Sequence, residues 1–204
     1  MDDIQVLRYC RERLAELCPH LSHTLIDELS LGWRVLRFGR REPLNTAGSM
    51  QTDAFMIVQG LVRAYYPTAD EDITINFIPE GNFATHYTSL ETPQVSHFTF
   101  QAVEPTIAVA FSYDYVLQMS RRQPEVERLL RVLLEYEYTR LLTHTECLLI
   151  HNPEDRYRTF RQYFGHLLPR ISITDLSSYL GISRQALTLI RKRLLSEPAT
   201  RVPE

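Results

Sequence analysis

Three kinds of hydrophobic spacing follow one another along the chain. Over residues 3–31 apolar side chains recur at helical intervals: Ile4, Leu7, Leu14 and Leu17, then Leu25, Ile26 and Leu29, with a break at Pro19 and Ser22 placed to cap the restart. A helical lead-in is predicted. From Trp33 to about Tyr113 the pattern changes to short β-branched and aromatic runs, "WRVLRF", "AFMIVQGLVRAYY", "DITINFI", "HFTFQAV" and "TIAVAFS", separated by Gly, Asn, Pro and Asp. This spacing predicts an antiparallel sandwich or barrel. At Pro124, well placed as a first helical residue, the helical period returns in "PEVERLLRVLLEYEYTRLLTHTECLLI", which has no Gly and no internal Pro. Its 27 residues make a rod of about 40 Å.

The leucines of this rod come in adjacent pairs, a stripe wider than one contact surface requires. One edge can pack on the β region and the other on a second copy of the helix. Val126, Leu130, Leu133, Leu134, Leu141 and Leu148 are the candidate dimer residues. "HNPED" at 151–155 then breaks the helix, with Asn152 as a cap and Pro153 opening the next one. The expected organisation is an α+β chain: a β domain with helical lead-in over 1–123, a dimerisation helix over 124–151 and a helical domain over 152–204.

Near the end, residues 176–194 read "LSSYLGISRQALTLIRKRL". A tight turn between helices needs a residue tolerant of left-handed geometry, an apolar plug and a cap for the second helix, and Gly181, Ile182 and Ser183 supply them in order. Leu176 and Leu180 before the turn and Leu187 and Ile190 after it are spaced to face inward, with the small Ser177 where the helices cross. Upstream, "ISITDL" reads as a short strand leading to Thr174 as cap of the first helix. The outward face of the second helix carries Arg184, Gln185, Thr188, Arg191 and Lys192, side chains that bond phosphate oxygens or base edges. Two bundled helices with a solvated basic face are the alternative.

Charge sharpens this picture. The net charge is −3, but from Asn152 onward nine basic residues face five acidic ones, a balance of +4, which leaves −7 on the rest. The basic end is thus the part suited to a polyanion. Lys192 is the only lysine among the 22 basic residues. Three cysteines, Cys10, Cys18 and Cys147, with no CxxC pair, suit a reducing compartment, and no apolar run approaches a membrane span. A soluble cytoplasmic protein without membrane contact is expected.

With these elements in this order, the chain resembles the Crp/Fnr-type transcription regulators. The resemblance rests on "FMIVQGLVRAYY" (55–66), similar to the family's strand-Gly-strand stretch, on "FIPEGNF" (77–83), similar to its Pro-x-Gly-Asp-Phe turn, on "QPEV" opening the long helix, and on "DLSSYLGISRQALTLIRKRL". It spans roughly residues 20–195. It implies a cyclic nucleotide-binding-like antiparallel β-roll, of the jelly-roll or double-stranded β-helix kind, a dimer helix and a winged helix-turn-helix. It further implies double-stranded DNA and a second copy as partners, RNA polymerase as a protein contact, and Ser183, Arg184, Gln185 and Thr188 at the base- and phosphate-facing positions; Thr174, Arg191 and Lys192 complete the candidate DNA-binding set.

The departures bear on mechanism. Cyclic-nucleotide binders of the family carry Gly-Glu near the start of a phosphate-binding stretch and Arg-Ser or Arg-Thr near its end. Here "GNFATHYTSLETPQVSHFTF" (81–100) has no Arg or Lys, so independence from cyclic AMP is expected. Two N-terminal cysteines cannot supply the four thiolates of an iron–sulfur centre, and no cofactor or metal is expected. Gly81, Asn82, His86, Thr88 and Ser89 are the candidates for lining a pocket for an unknown small-molecule effector, and a plain surface loop is the equal alternative. Leu189 stands where many members place a base-reading Arg, and the short tail after Leu195 implies a reduced wing. No His-x-His metal motif, Ser/His/Asp signature or phosphate loop is present, so no enzyme is expected. The competing reading is a cupin-like ligand-binding β-roll whose helix-turn-helix is structural only.

Overall fold

Asp2 opens the first helix, α1 (Asp3–Leu17), by accepting the amide of Gln5 while the Gln5 side chain accepts the Asp2 amide, a reciprocal cap. After Pro19, Ser22 caps α2 (His23–Ser30) through the amide of Leu25. The computed structural model describes residues 1–86 and 95–196. By its internal contacts the chain divides into two compact units, Met1–Thr139 and Arg140–Glu204.

In the first unit eight strands follow among the described residues: β1 (Trp33–Phe38), β2 (Pro43–Asn45), β3 (Asp53–Gln59), β4 (Val62–Pro67), β5 (Asp72–Ile78), β6 (Phe83–Ala84), β7 (Thr99–Ala102) and β8 (Thr106–Ser112). They form two four-stranded antiparallel sheets, in the orders β1-β8-β3-β6 and β2-β7-β4-β5. The architecture is α+β with a β-roll, as the pattern predicts.

The first sheet is buried on both faces, which is why β3 and β8 read as unbroken apolar runs. Phe55 and Ile57 of β3 with Ala108 and Ala110 of β8 point into the roll, against Val62, Ala64, Ile78 and Phe100. Met56 and Val58 with Val109 and Phe111 point the other way, against Val6, Cys10, Leu14 and Leu25 of the two helices. In the second sheet Val62, Ala64, Ile78 and Phe100 face the roll, and Arg63 and Phe77 are buried on the other face. On its outer face Arg63 pairs with Asp72 at 2.8 Å and lies over the ring of Tyr65.

At the β3–β4 turn, Gly60 has φ +99°, and a Cβ there would lie 2.5 Å from Thr106 Oγ1 and 2.7 Å from the Pro105 carbonyl. Only glycine fits. The strands expected between Trp33 and Tyr113 are all found, and three further elements accompany them: β2, β6 and a helix α3 (Tyr113–Ser120) that follows β8 without a break.

The long helix α4 (Pro124–Ile150) has the expected bounds, with Asn152 accepting the amides of Glu154 and Asp155 to open α5 (Pro153–Phe164). By internal contacts its last turns, from Arg140, group with the C-terminal unit. One candidate dimer residue is corrected: Val126 has no exposed surface and packs in the core of its own unit with Leu129, because the first turns of α4 cover α1 and α2.

Candidate nucleic-acid interface

The C-terminal unit continues from α5 through a 3-10 turn (Gly165–Leu167) to α6 (Ile173–Leu180) and α7 (Arg184–Ser196). The upstream segment is not a strand, and the cap of α6 is Ser172, not Thr174: its hydroxyl oxygen accepts the Asp175 amide at 3.0 Å and donates to the Asp175 carboxylate at 2.6 Å. Helix begins before the β-branched pair Ile173 and Thr174 because Asp175 completes this capping arrangement. Thr174 is left exposed in the first turn.

Gly181 ends α6 in the left-handed conformation, φ 62° and ψ 40°. The Ile182 amide then donates to the Ser177 carbonyl and closes the turn. A Cβ at Gly181 would meet Arg156 Nη1 at 3.2 Å and Leu148 Cδ2 at 3.4 Å. Ser183 precedes α7 and accepts the Ala186 amide at 3.1 Å, the expected cap.

Leu176, Leu180, Leu187 and Ile190 are buried, with Tyr157 and Phe160 of α5, and Ser177 is the small buried residue between them. Arg193 is tied to Glu154 of α5 at 2.7 Å, and Arg158 holds the same carboxylate. The hydrogen bond from Arg158, with the charges of both arginines, keeps the Glu154 carboxyl below its usual range.

What remains outward on α7 is one face. Arg184, Gln185, Thr188 and Lys192 are exposed within an arc of about 100°. Arg191 sits half-buried at one edge of that face, and Leu189, 64% exposed, lies past the opposite edge. Thr188 is exposed and donates its hydroxyl to the Arg184 carbonyl at 2.8 Å.

Arg156, which sequence reasoning counted only as charge, organises the base of this unit. Its guanidinium donates to the carbonyls of His151 (2.9 Å), Leu148 (2.8 Å) and Leu180 (3.0 Å). Carbonyls at the C-terminal ends of α4 and α6 lack helical partners, and one cation satisfies both ends. His144 stacks on Tyr179 with ring centres 4.0 Å apart and nearly parallel planes, and its Nε2–H donates to the Tyr179 carbonyl. Burial, with Arg140 and Arg156 nearby, holds the His144 pKa below its ordinary value, and burial pushes the Tyr179 phenol up to about 12.

The described pocket candidates, Gly81, Asn82 and His86, each have partners of their own. Gly81, at φ +76°, lies under α1, where a Cβ would meet Arg13 Nε at 2.9 Å and Tyr9 Oη at 3.2 Å. Asn82 accepts from the Tyr136 hydroxyl at 3.3 Å and donates to the Glu80 carbonyl. His86 is buried against Phe98, and its backbone amide donates to Tyr113 Oη at 3.0 Å. Burial lowers its pKa. Thr88 and Ser89 lie outside the described residues, as does the tail beyond Ser196 where the reduced wing is expected.

Of the candidate dimer residues, Leu134 and Leu141 are exposed, Leu130 and Leu133 are half-buried toward the first unit's core, and Leu148 lines a cavity of the second. Leu134, Tyr138, Leu141, Leu142 and Leu149 form an outward apolar stripe along α4, spanning about 100° of the helix. Among the described residues no group of His, Cys, Asp and Glu could hold a metal, and no helix is long and apolar enough to cross a membrane.

A β-roll, a long helix and a helix-turn-helix in this order define an architecture shared with solved transcription regulators. Similar structures include FixK2 from Bradyrhizobium japonicum, at 16% identity over 80% of this chain and 85% of that one, TM-score 0.73. The c-di-GMP responsive global regulator CLP of Xanthomonas campestris matches at 17% identity over 86% and 92%, TM-score 0.67. The catabolite activator protein of Thermus thermophilus matches at 19% identity over 92% and 90%, TM-score 0.53. These are Crp/Fnr regulators, and the chain has the Crp/Fnr-like fold. No protein-family model matches the sequence, and no curated protein matches it.

Proposed function

We propose that this protein is a DNA-binding transcription regulator, not an enzyme, acting as a homodimer on a near-palindromic operator without cyclic AMP. The observation that carries the reading is the exposed face of α7, where Arg184, Gln185, Thr188 and Lys192 stand together on a helix anchored from behind. Such a helix fits the major groove with side chains able to reach base edges. Thr174 and Ser183 lie at helix starts suited to phosphate contact, and Arg191 extends the face at its edge. The exposed stripe on α4, with Leu130, Leu133 and Leu148 at its margins, supports pairing with a second copy. The absence of Arg and Lys over 81–100 supports independence from cyclic AMP. RNA polymerase is the proposed protein partner.

The test is selection of binding sequences from a random DNA pool by the purified protein, with its mass in solution measured alongside. A palindrome recovered with a dimeric mass and no added nucleotide is expected. No enriched sequence from a folded dimer, with or without cell extract, would sink the reading.

A further inference from the structure

Within the C-terminal unit a cavity of about 300 Å³ opens between the last turns of α4, α5 and α6. Its walls are rings. Phe160, Tyr163, Phe164 and Tyr179 line it, with Phe160 against Phe164 at 5.5 Å and Tyr179 at 5.6 Å, and His144 stacked on Tyr179. The charged groups on its wall are Arg140 and Arg156, and no carboxylate lines it among the described residues. Arg156 bonds to neutral backbone carbonyls, so these contacts do not cancel its charge. Both cations act on the wall, lowering the His144 pKa beyond the effect of burial, and Arg156 offsets part of the rise that burial gives the Cys147 thiol.

We propose that this cavity binds a small aromatic carboxylate, with the ring held among Phe160, Tyr163 and Tyr179 and the carboxylate drawn to Arg140 and Arg156. The volume lies at the lower end of the roughly 300–1,000 Å³ in which small ligands are held. Ring burial gives affinity, and charge-assisted bonding to a guanidinium selects an anion. An apolar side chain from a second copy would fill the rings but bring no negative charge to the two arginines on the wall, and an amine would be repelled. This site stands whether or not α7 reads DNA.

Cys147 lines the cavity and is half-buried, whereas Cys10 and Cys18 are buried. Alkylation of the full chain by iodoacetamide at mildly alkaline pH, located by peptide mass, therefore reads the cavity at one residue. The probes are 2-naphthoate and the uncharged 2-naphthamide. Naphthoate is expected to slow alkylation of Cys147 in a saturable way, and Arg140→Gln to weaken its apparent affinity about tenfold, toward that of naphthamide. Thr159→Trp, filling the cavity, removes the protection in a chain shown to be folded by circular dichroism and melting. Thr143→Trp at the exposed rim serves if that variant does not fold. Three results overturn the proposal: no protection by naphthoate, equal protection by naphthamide, or protection that grows with protein concentration alone, which makes a second copy the occupant.

Discussion

Arg184 and Lys192 share the exposed face of α7 but differ in chemistry. Arg184 presents a planar fork that can hold two acceptors on one base, while Lys192 is a point charge on a flexible stem. Arg184→Ala is expected to reduce discrimination at one base pair by about 1–3 kcal/mol. Lys192→Ala should weaken all sequences alike and lower the salt dependence by about one phosphate contact. Binding to the selected site and to a scrambled duplex at several salt concentrations separates them, and equal effects from both variants contradict the division. His144 makes a different prediction. Its pKa in the fold lies below its ordinary 6.5, so the unfolded chain takes up a proton first as pH falls. Its stabilising contribution is present above about 6.5 and is lost as pH drops from there toward the lower folded value. His86 shifts in the same direction, so the readout is a difference. The melting temperature of wild type should fall more steeply below pH 6.5 than that of His144→Phe, which keeps a stacking ring; parallel curves would refute this.

Element by element, the reading from sequence succeeded where one period ran long enough to be unambiguous and failed where neighbours decided. The helices at 3–17, 23–30 and 124–150 and the Gly181 turn were legible because caps and spacing agreed. β2 and β6 are two or three residues long and exist only through their partners β7 and β3. The helix α3 starts directly after β8, with Ser112 before it making no side-chain cap, so nothing local marked the switch. "ISITDL" carries β-branched residues that suggest a strand, yet the Ser172–Asp175 cap outweighs that preference. For α4, spacing showed a wide apolar stripe but not which residue served which neighbour: Val126 belongs to its own core, and Leu142 and Leu149 join the exposed side. A charge on that side should be intolerable in a paired helix. Leu134→Glu with Leu141→Glu is expected to raise the dimer dissociation constant at least a hundredfold, roughly 3 kcal/mol, without loss of fold. Sedimentation and circular dichroism together check it, and an unchanged dimer would remove α4 as the interface.

At the scale of the whole molecule, the acidic excess lies before Asn152 and the basic excess after it, so the attraction to DNA is concentrated in the C-terminal part. In the proposed dimer two copies of α7 meet successive major grooves about 34 Å apart. Inserting about half a helical turn, roughly 5 base pairs, between the half-sites should abolish tight binding, and inserting a full turn should restore part of it. Titration of a series of spaced duplexes measures this; indifference to spacing would mean that single helices bind alone. The candidate pocket was the least legible part of the chain. Gly81 and Asn82 are taken up by α1 and by Tyr136, contacts far away in sequence that composition could not reveal.

The meeting of Gly181 with Arg156 reaches into heredity. The turn glycine is constrained twice, by its left-handed backbone and by a guanidinium 3.2 Å from where a methyl would stand. The two positions, 25 residues apart, are therefore one unit of variation. In a library randomised at both, chains that keep Arg156 should return glycine at 181. Asparagine or aspartate, which tolerate that backbone, should gain entry there only alongside a shorter residue at 156.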